Sequence, residues 1–278
     1  RWIPPARWLP DHEHGIDYRQ RLKYDLGSWP KKPLPPHLEA RLMQRLSKLE
    51  FTHPMLSSIA ERMSELPKKR IESHYHTGRR AAVMLPLCVV DSKPSVLLNL
   101  RSHNVSTHKG QVCFPGGHLD LSDECMEGCA QRECEEELGV RVEAPRERAL
   151  WEQEWRKRPY YPRSNILGRL PNCVAVTGTL VTPIVGFLGK IDLNTVWKTT
   201  NRDEIAEVFS MTLEELLDPR TIVHEDIHMG NMMPAFVSGK HRVWGLTAFI
   251  LHHFLMEVML PSILTCSELD QIHDDDCS

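Results

Sequence analysis

Three carboxylates, Glu133, Glu136 and Glu137, fall at i, i+3 and i+4, which on a helix places them on one side. Left alone they repel, at roughly 0.2–0.5 kcal/mol per pair, so a ligand that gathers them is favoured. Hard divalent cations such as Mg²⁺ are bound by such oxygens, together with phosphate groups and water. Beside the acidic face, Ala130, Cys134 and Leu138 form an apolar stripe that can seat the helix on a sheet, and Gly139 is placed to end it. Ahead of it, Gly116 and Gly117 let the backbone approach a metal or phosphate closely and take dihedrals closed to other residues. Spacing alone leaves open a plainer reading, a solvated acidic helix after a glycine turn.

The surroundings say what this helix rests on. From Ala81 the texture is that of strands: Ala81 to Val90 and Ser95 to Arg101 are rich in Val and Leu and are separated by Asp91 to Pro94, so a hairpin is predicted. Further strands are expected at Gln111 to Phe114, Cys173 to Thr177 and Leu180 to Phe187, and helices at Glu124 to Leu138, Leu213 to Leu217 and Trp244 to Leu260. Elements mixed in this way predict an α+β or α/β sandwich. Upstream, Leu38, Leu42, Leu46 and Leu49, then Met55, Ile59 and Met63, recur at helical spacing. Residues 1–36 instead scatter Trp2, Trp8 and Trp29 among prolines, which predicts an extended arm seeking a surface to lie on. The expected organisation is an arm at 1–36, a helical extension at 37–80, the main domain at 81–262 and an acidic tail at 263–278. Within the main domain, 142–166 reads as an insertion rich in basic and aromatic residues.

Composition narrows the classes. A chain of 278 residues holds one sizeable core with arms, and 41% hydrophobic with 26% charged residues excludes a disordered or fibrous chain. The net charge of −3 argues against binding a polyanion with the whole surface, while leaving local basic patches open. The eight cysteines contain no CxxC pair, so a zinc ribbon lacks its paired ligands. Several lie inside apolar runs and read as reduced packing residues of a cytosolic or mitochondrial matrix protein. The apolar segment Trp244 to Leu260 carries His252, His253 and Glu257, which favours a packed helix over a membrane span. The chain starts at Arg1, so targeting cannot be read from it directly, and it lacks a peroxisomal SKL ending.

The stretch Phe114 to Val140, FPGGHLDLSDECMEGCAQRECEEELGV, resembles the Nudix box, GX5EX7REUXEEXGU with U apolar. Arg132, Glu133, Cys134, Glu136, Glu137, Gly139 and Val140 fill its second half, and Glu124 stands eight positions before Arg132. Between Gly117 and Glu124 lie six residues instead of five. That insertion resembles the coenzyme A diphosphatase branch, whose GGxxDxxD loop is matched by Gly117, Asp120 and Asp123. The branch's LLTxRSxxLRxHxGQVxFPGG is matched by Leu97, Leu98, Arg101, Ser102, His108, Gly110, Gln111, Val112 and Phe114 to Gly117. Ser106 departs from it, standing where the branch usually carries an arginine. The likeness continues through LGRLP at 167–171, VTPIVGFL at 181–188, NRDEIAEVF at 201–209, LLDP at 216–219 and VWGLTAFIL at 243–251.

The resemblance implies a Nudix α/β/α sandwich with a mixed sheet, and a hydrolase that attacks a diphosphate with metal-activated water. Its metal ligands map to Glu133, Glu136 and Glu137 for Mg²⁺ or Mn²⁺, with a carbonyl of Gly116 or Gly117 as a further ligand. Arg132 would orient a carboxylate through a charge-assisted bond. Glu204 is the counterpart, by position, of an acid or base supplied from a later loop, and its plain alternative is a solvated carboxylate at a helix start. Arg101 and His108 are candidates for contact with phosphate or the adenine nucleotide, His108 being equally readable as a strand-end histidine with one backbone bond. The implied substrate is coenzyme A or acyl-CoA, split to 3′,5′-ADP and (acyl-)4′-phosphopantetheine. Apart from the resemblance, the first residue other than Met, the absent SKL ending and the reduced-looking thiols point to mitochondria, with the cytoplasm as the alternative.

Two other classes compete. Arg146, Arg148, Arg156, Lys157, Arg158 and Arg163 interleave with Trp151, Trp155, Tyr160 and Tyr161, a mixture that can grip RNA by phosphate contact and base stacking. This suggests an RNA-associated or ribonucleoprotein factor, acting on RNA 5′ ends or serving in a mitochondrial complex, with the arm at 1–36 holding a protein partner. A structural descendant without chemistry is the third class, against which the retention of Arg132, Glu133, Glu136 and Glu137 argues.

Overall fold

A computed structural model of the chain describes residues 35–67, 76–105, 108–142, 165–228, 231–265 and 267–269. Most of the arm at 1–36, Ser106 and the whole basic and aromatic run at 146–163 therefore lie outside the described residues.

Two helices come first, α1 (Pro36–Leu46) and α2 (His53–Glu65). Both start with a proline in the first turn, where the missing N–H would have had no intrahelical partner. Leu38, Leu42 and Leu46 on the first and Ile59 and Met63 on the second are buried, as their spacing predicts, while Leu49 and Met55 are partly buried and Leu56 takes the inward place next to Met55. The expected hairpin follows as β1 (Arg80–Val90) and β2 (Lys93–Arg101), antiparallel with Leu87 opposite Val96. Its two-residue turn sets Asp91 and Ser92 at φ 47° and 64°, the left-handed geometry that matches strand twist.

The chain continues through β3 (Val112–Cys113), β4 (Gly116–His118), α3 (Met126–Leu138), β5 (Ile166–Arg169), β6 (Cys173–Val174) and β7 (Leu180–Lys190). Then come α4 (Leu193–Thr199), β8 (Ile205–Thr212), α5 (Leu213–Leu216), the β9 (Ile222–His228) and β10 (Asn231–Phe236) hairpin, and α6 (Gly245–Phe254). The main sheet runs β3-β2-β1-β7-β5, with β4 on β1, β6 on β7 and β8 on β2. It is mixed: β1 and β7 are parallel, Met84 opposite Ile184, and the other pairings are antiparallel.

Strand β1 shows why helices lie on both faces. Its odd positions Ala81, Leu85 and Leu87 share a core with α1, α2 and α6, while Ala82, Met84, Cys88 and Val90 share a second core with Ala130, Cys134 and Leu138 of α3. A strand apolar at nearly every position needs a layer on each side, and the α+β sandwich supplies both.

Two expectations are corrected. Glu204 does not begin a helix: Ile205 opens β8, which pairs along β2 from Arg101 opposite Ile205 to Ser95 opposite Thr212. Buried Ile205, Phe209 and Met211 hold it to the sheet, and Glu207 among them hides that pattern in the sequence. The helix expected at Trp244 to Leu260 is regular only to Phe254, then widens into a π turn at Leu255–Met259 before a last turn at Leu260–Ile263. Gly245–Ile263 is long and apolar enough to cross a membrane, yet Leu251, Phe254, Leu255, Val258 and Met259 are fully buried in the core.

Candidate active site

Helix α3 is fixed at both ends and along one side. The Cys125 sulfur accepts the Gly128 N–H at its start, and Gly139, at φ 68°, closes it by donating its N–H to the Glu135 carbonyl. A side chain on Gly139 would be strained by that φ and would collide with Thr199, whose hydroxyl donates to the Leu138 carbonyl at 2.9 Å. With Ala130, Cys134 and Leu138 fully buried against the sheet, Glu136 faces outward and Glu137 lies inward beside the apolar stripe.

Arg132 organises the outer carboxylates. Its Nε and Nη2 donate to the two oxygens of Asp123, each at 2.9 Å, a bidentate pairing that holds the Asp123 carboxyl down at about 2. Nη1 reaches Glu133 at 2.9 Å and Glu136 at 3.0 Å, and Nη2 also reaches the His118 carbonyl at 3.2 Å. Asp123 belongs to the one-residue-longer loop, which it braces by accepting the Asp120 N–H at 2.8 Å. The inserted length thus brings a carboxylate to Arg132. Arg132 orients three acidic groups at once.

Glu137 points into the protein and is 3% exposed. Asn99 donates to its Oε2 at 3.0 Å, and Arg101 Nη1 lies 3.6 Å from its Oε1. Burial, reinforced by the charges of Glu133 and Glu204, outweighs those two partners and pushes this carboxyl up to about 8. Burial also raises Glu133, against the pull of Arg132.

Glu204 joins the same electrostatic cluster, since its charge acts on both Glu133 and Glu137. Its loop is tied to the helix and to β2: Asn201 N–H donates to the Glu137 carbonyl at 2.9 Å, Asn201 Nδ2 to the Glu204 carboxylate at 3.2 Å, and Ser102 N–H to the Glu204 carbonyl at 2.7 Å. Gly116 and Gly117 lie on β4, paired with Val83 and Ala82. Neither has a positive φ, so their role is space and not unusual dihedrals. A β-carbon on Gly117 would fall 2.3 Å from Glu133 Oε1, and one on Gly116 2.5 Å from the Ala82 carbonyl oxygen. His108 is neither on a strand nor beside the carboxylates; it sits at φ 55° in a loop, its Nδ1 paired with Gln111 Oε1 at 3.0 Å.

Sequence reasoning missed Asn99 and did not assign Asp123 a place at Arg132. A signal for the first exists in β2, where the alternation Leu97, Asn99, Arg101 interrupts an apolar run with an amide on the face that meets α3.

The donor set suits a hard divalent ion: clustered carboxylate oxygens, one of them held above its ordinary range by burial and by its acidic neighbours, and a glycine cradle that a β-carbon would fill. As arranged here, no three His, Cys, Asp or Glu side chains among the described residues converge as a ready metal cage. Arg132 takes up Glu133 and Glu136 instead, so an ion would compete with its guanidinium for them.

Comparison with known proteins adds an independent line. Residues 78–230 match the NUDIX domain family. A mouse protein named mitochondrial coenzyme A diphosphatase NUDT8 is 37% identical over 175 residues, which cover 61% of this chain and 73% of that protein. The human protein of the same name is 32% identical over 199 residues, 67% of this chain and 75% of the other. An uncharacterized Nudix hydrolase NudL from Photorhabdus laumondii is 31% identical over 198 residues, with 70% and 91% covered.

Proposed function

The chain belongs to the Nudix family of hydrolases, and from that premise we propose that it hydrolyses the diphosphate linkage of coenzyme A or acyl-CoA with Mg²⁺ or Mn²⁺, giving 3′,5′-ADP and (acyl-)4′-phosphopantetheine. The observation that carries this reading is the state of Glu137: a carboxylate buried beside Glu133 and Glu204, short of positive charge, on the helix whose spacing suits metal binding. Coenzyme A as substrate is supported by the names of the mouse and human relatives, and the same names support mitochondria as the compartment. The RNA-associated alternative rested on residues 1–36 and 146–163, and no described residue favours it.

In this reading Glu133, Glu136 and Glu137 would hold the ion, with a carbonyl of Gly116 or Gly117 as a further ligand. A divalent metal bound there neutralises phosphate charge and lowers the pKa of the attacking water. Arg132 bridges Glu133 and Glu136 through Nη1, offsetting their mutual repulsion and aiming both carboxylates at one place. Arg101 sits beside Glu137 with its Nε unpaired, a donor suited to a phosphate oxygen. Glu204, held by Asn201, accepts or returns a proton at the rim.

Purified protein with Mg²⁺ or Mn²⁺ is expected to convert coenzyme A into the two products, identified by mass spectrometry, and Glu136→Gln or Glu137→Gln to stop it. No turnover of coenzyme A, its thioesters, NADH or nucleoside diphosphate compounds at several metal concentrations would refute the proposal.

A further inference from the structure

We infer that Asn99 is a positioning residue for Glu137, holding that carboxylate in one orientation without cancelling its charge; the inference rests on the reading of α3 as a metal-binding helix. Strand β2 presents Leu97, Asn99 and Arg101 in turn to the α3 face. Leu97 enters the core under the helix, and the next two side chains grip Glu137. Asn99 is fully buried in the middle of the sheet, its backbone flanked by Cys113 on one side and Val208 on the other. Such a position gives the side chain a rigid base.

The carboxamide uses both ends. Nδ2 donates to Glu137 Oε2 at 3.0 Å, and Oδ1 accepts from Cys113 Sγ at 2.7 Å. Burial keeps that thiol protonated, hence a donor. Between an S–H and a carboxylate an amide fits in one sense only, oxygen toward the thiol and nitrogen toward the carboxylate, so Cys113 sets the direction of the donor that meets Glu137. A flipped amide would set its oxygen against the carboxylate.

The type of donor matters as much as its place. Arg101, the cation near the other oxygen, stands off at 3.6 Å. A lysine or arginine at position 99 would bring a full charge to the carboxylate and compete with a divalent ion. A neutral amide fixes direction and leaves the negative charge available, as hydrogen-bond partners of metal ligands do.

The test uses the full chain and Mn²⁺, followed by electron paramagnetic resonance without substrate and by turnover of coenzyme A, with thermal melts alongside. Asn99→Leu keeps the volume and removes both bonds. It is expected to weaken Mn²⁺ binding by about 10–100-fold, to raise the Mn²⁺ needed for half-maximal turnover by the same factor, and to recover to within a few-fold of the wild-type rate at saturating Mn²⁺. Rescue by metal separates positioning from a general loss of structure. A folded Asn99→Leu protein that binds Mn²⁺ like the wild type overturns the inference. If Leu prevents folding, Asn99→Ala is read in the same way, and Cys113→Ala, which frees the amide to turn, is expected to shift Mn²⁺ binding in the same direction but less. Wild-type affinity in Cys113→Ala, where neither Asn99 variant folds, also overturns it. A wild-type protein that neither binds Mn²⁺ nor turns over any diphosphate defeats the proposed function itself; normal wild-type behaviour shared by the variants defeats the role of Asn99 alone.

Discussion

Glu137 and Glu268 are both nearly closed to water, at 3% and 4% exposure. Glu268 is fully provided for. Arg45 meets its two oxygens at 2.8 and 3.1 Å, and the N–H and hydroxyl of Thr265 each donate at 2.8 Å. The Thr265 backbone N–H, then Arg45, hold its carboxyl down at about 2. Arg45 also donates to the Ile263 carbonyl, so the pair ties the chain beyond α6 to α1. Glu137 rises to about 8, chiefly by burial, which an amide and a guanidinium standing off at 3.6 Å do not offset and two like charges reinforce. A carboxylate that holds the fold together is given every partner it needs; one proposed to receive a cation is buried with fewer partners than it could use.

The contrast breaks most plainly under exchange of each residue for glutamine. Glu137→Gln is expected to lower turnover of coenzyme A by about 10²–10⁴-fold in steady-state assays, and Glu268→Gln to leave it unchanged. Equal losses would erase the distinction.

A second effect lies in the pH dependence of the metal-free protein. The folded pKa of Glu137, about 8, is above its ordinary 4.5, so its stabilising contribution is complete below 4.5 and is lost as pH rises toward 8. Denaturant unfolding with a chelator present is expected to show stability falling across that window by on the order of a few kcal/mol, with the slope absent in Glu137→Gln. Glu268, shifted the other way, contributes above its ordinary 4.5 and loses that contribution as pH falls toward 2.

Arg132→Lys keeps a charge but cannot reproduce the fork on Asp123 and the reach to Glu133 and Glu136. Turnover is expected to fall by about 10–100-fold with little change in the melting curve. The smallest effect belongs to Glu268→Gln, a melting temperature lowered by a few degrees with Mn²⁺ binding intact. A loss of Mn²⁺ binding there would show that the two carboxylates are not independent.

Much of this was legible before any coordinates. The i, i+3, i+4 carboxylates, the Gly139 stop and the β1–β2 hairpin are local patterns, set by helical and strand periods over a few residues. The later strands were harder. In β8 the buried Ile205, Phe209 and Met211 fall at alternate positions, but Glu207 stands in their series and a bulge shifts the register against β2 between Leu100 and Arg101, so the apolar alternation is short and broken. Glu204 was therefore singled out by its place in a motif, while the strand that follows it was not legible. The two glycines were expected to supply both close approach and unusual dihedrals; the structure uses only the closeness, toward Glu133 and Ala82, a property of what lies opposite and not of their own backbone.

The amino-acid sequence alone determined that α3 would carry an acidic face beside an apolar stripe, since neighbours on a helix are chosen by spacing. Only the tertiary structure decided that Glu137 would turn inward beneath Asn99 and Arg101 while Glu133 and Glu136 were taken up by Arg132. Asn99 and Glu137 are 38 residues apart, and a pKa is set by burial and facing charges, which no local spacing specifies.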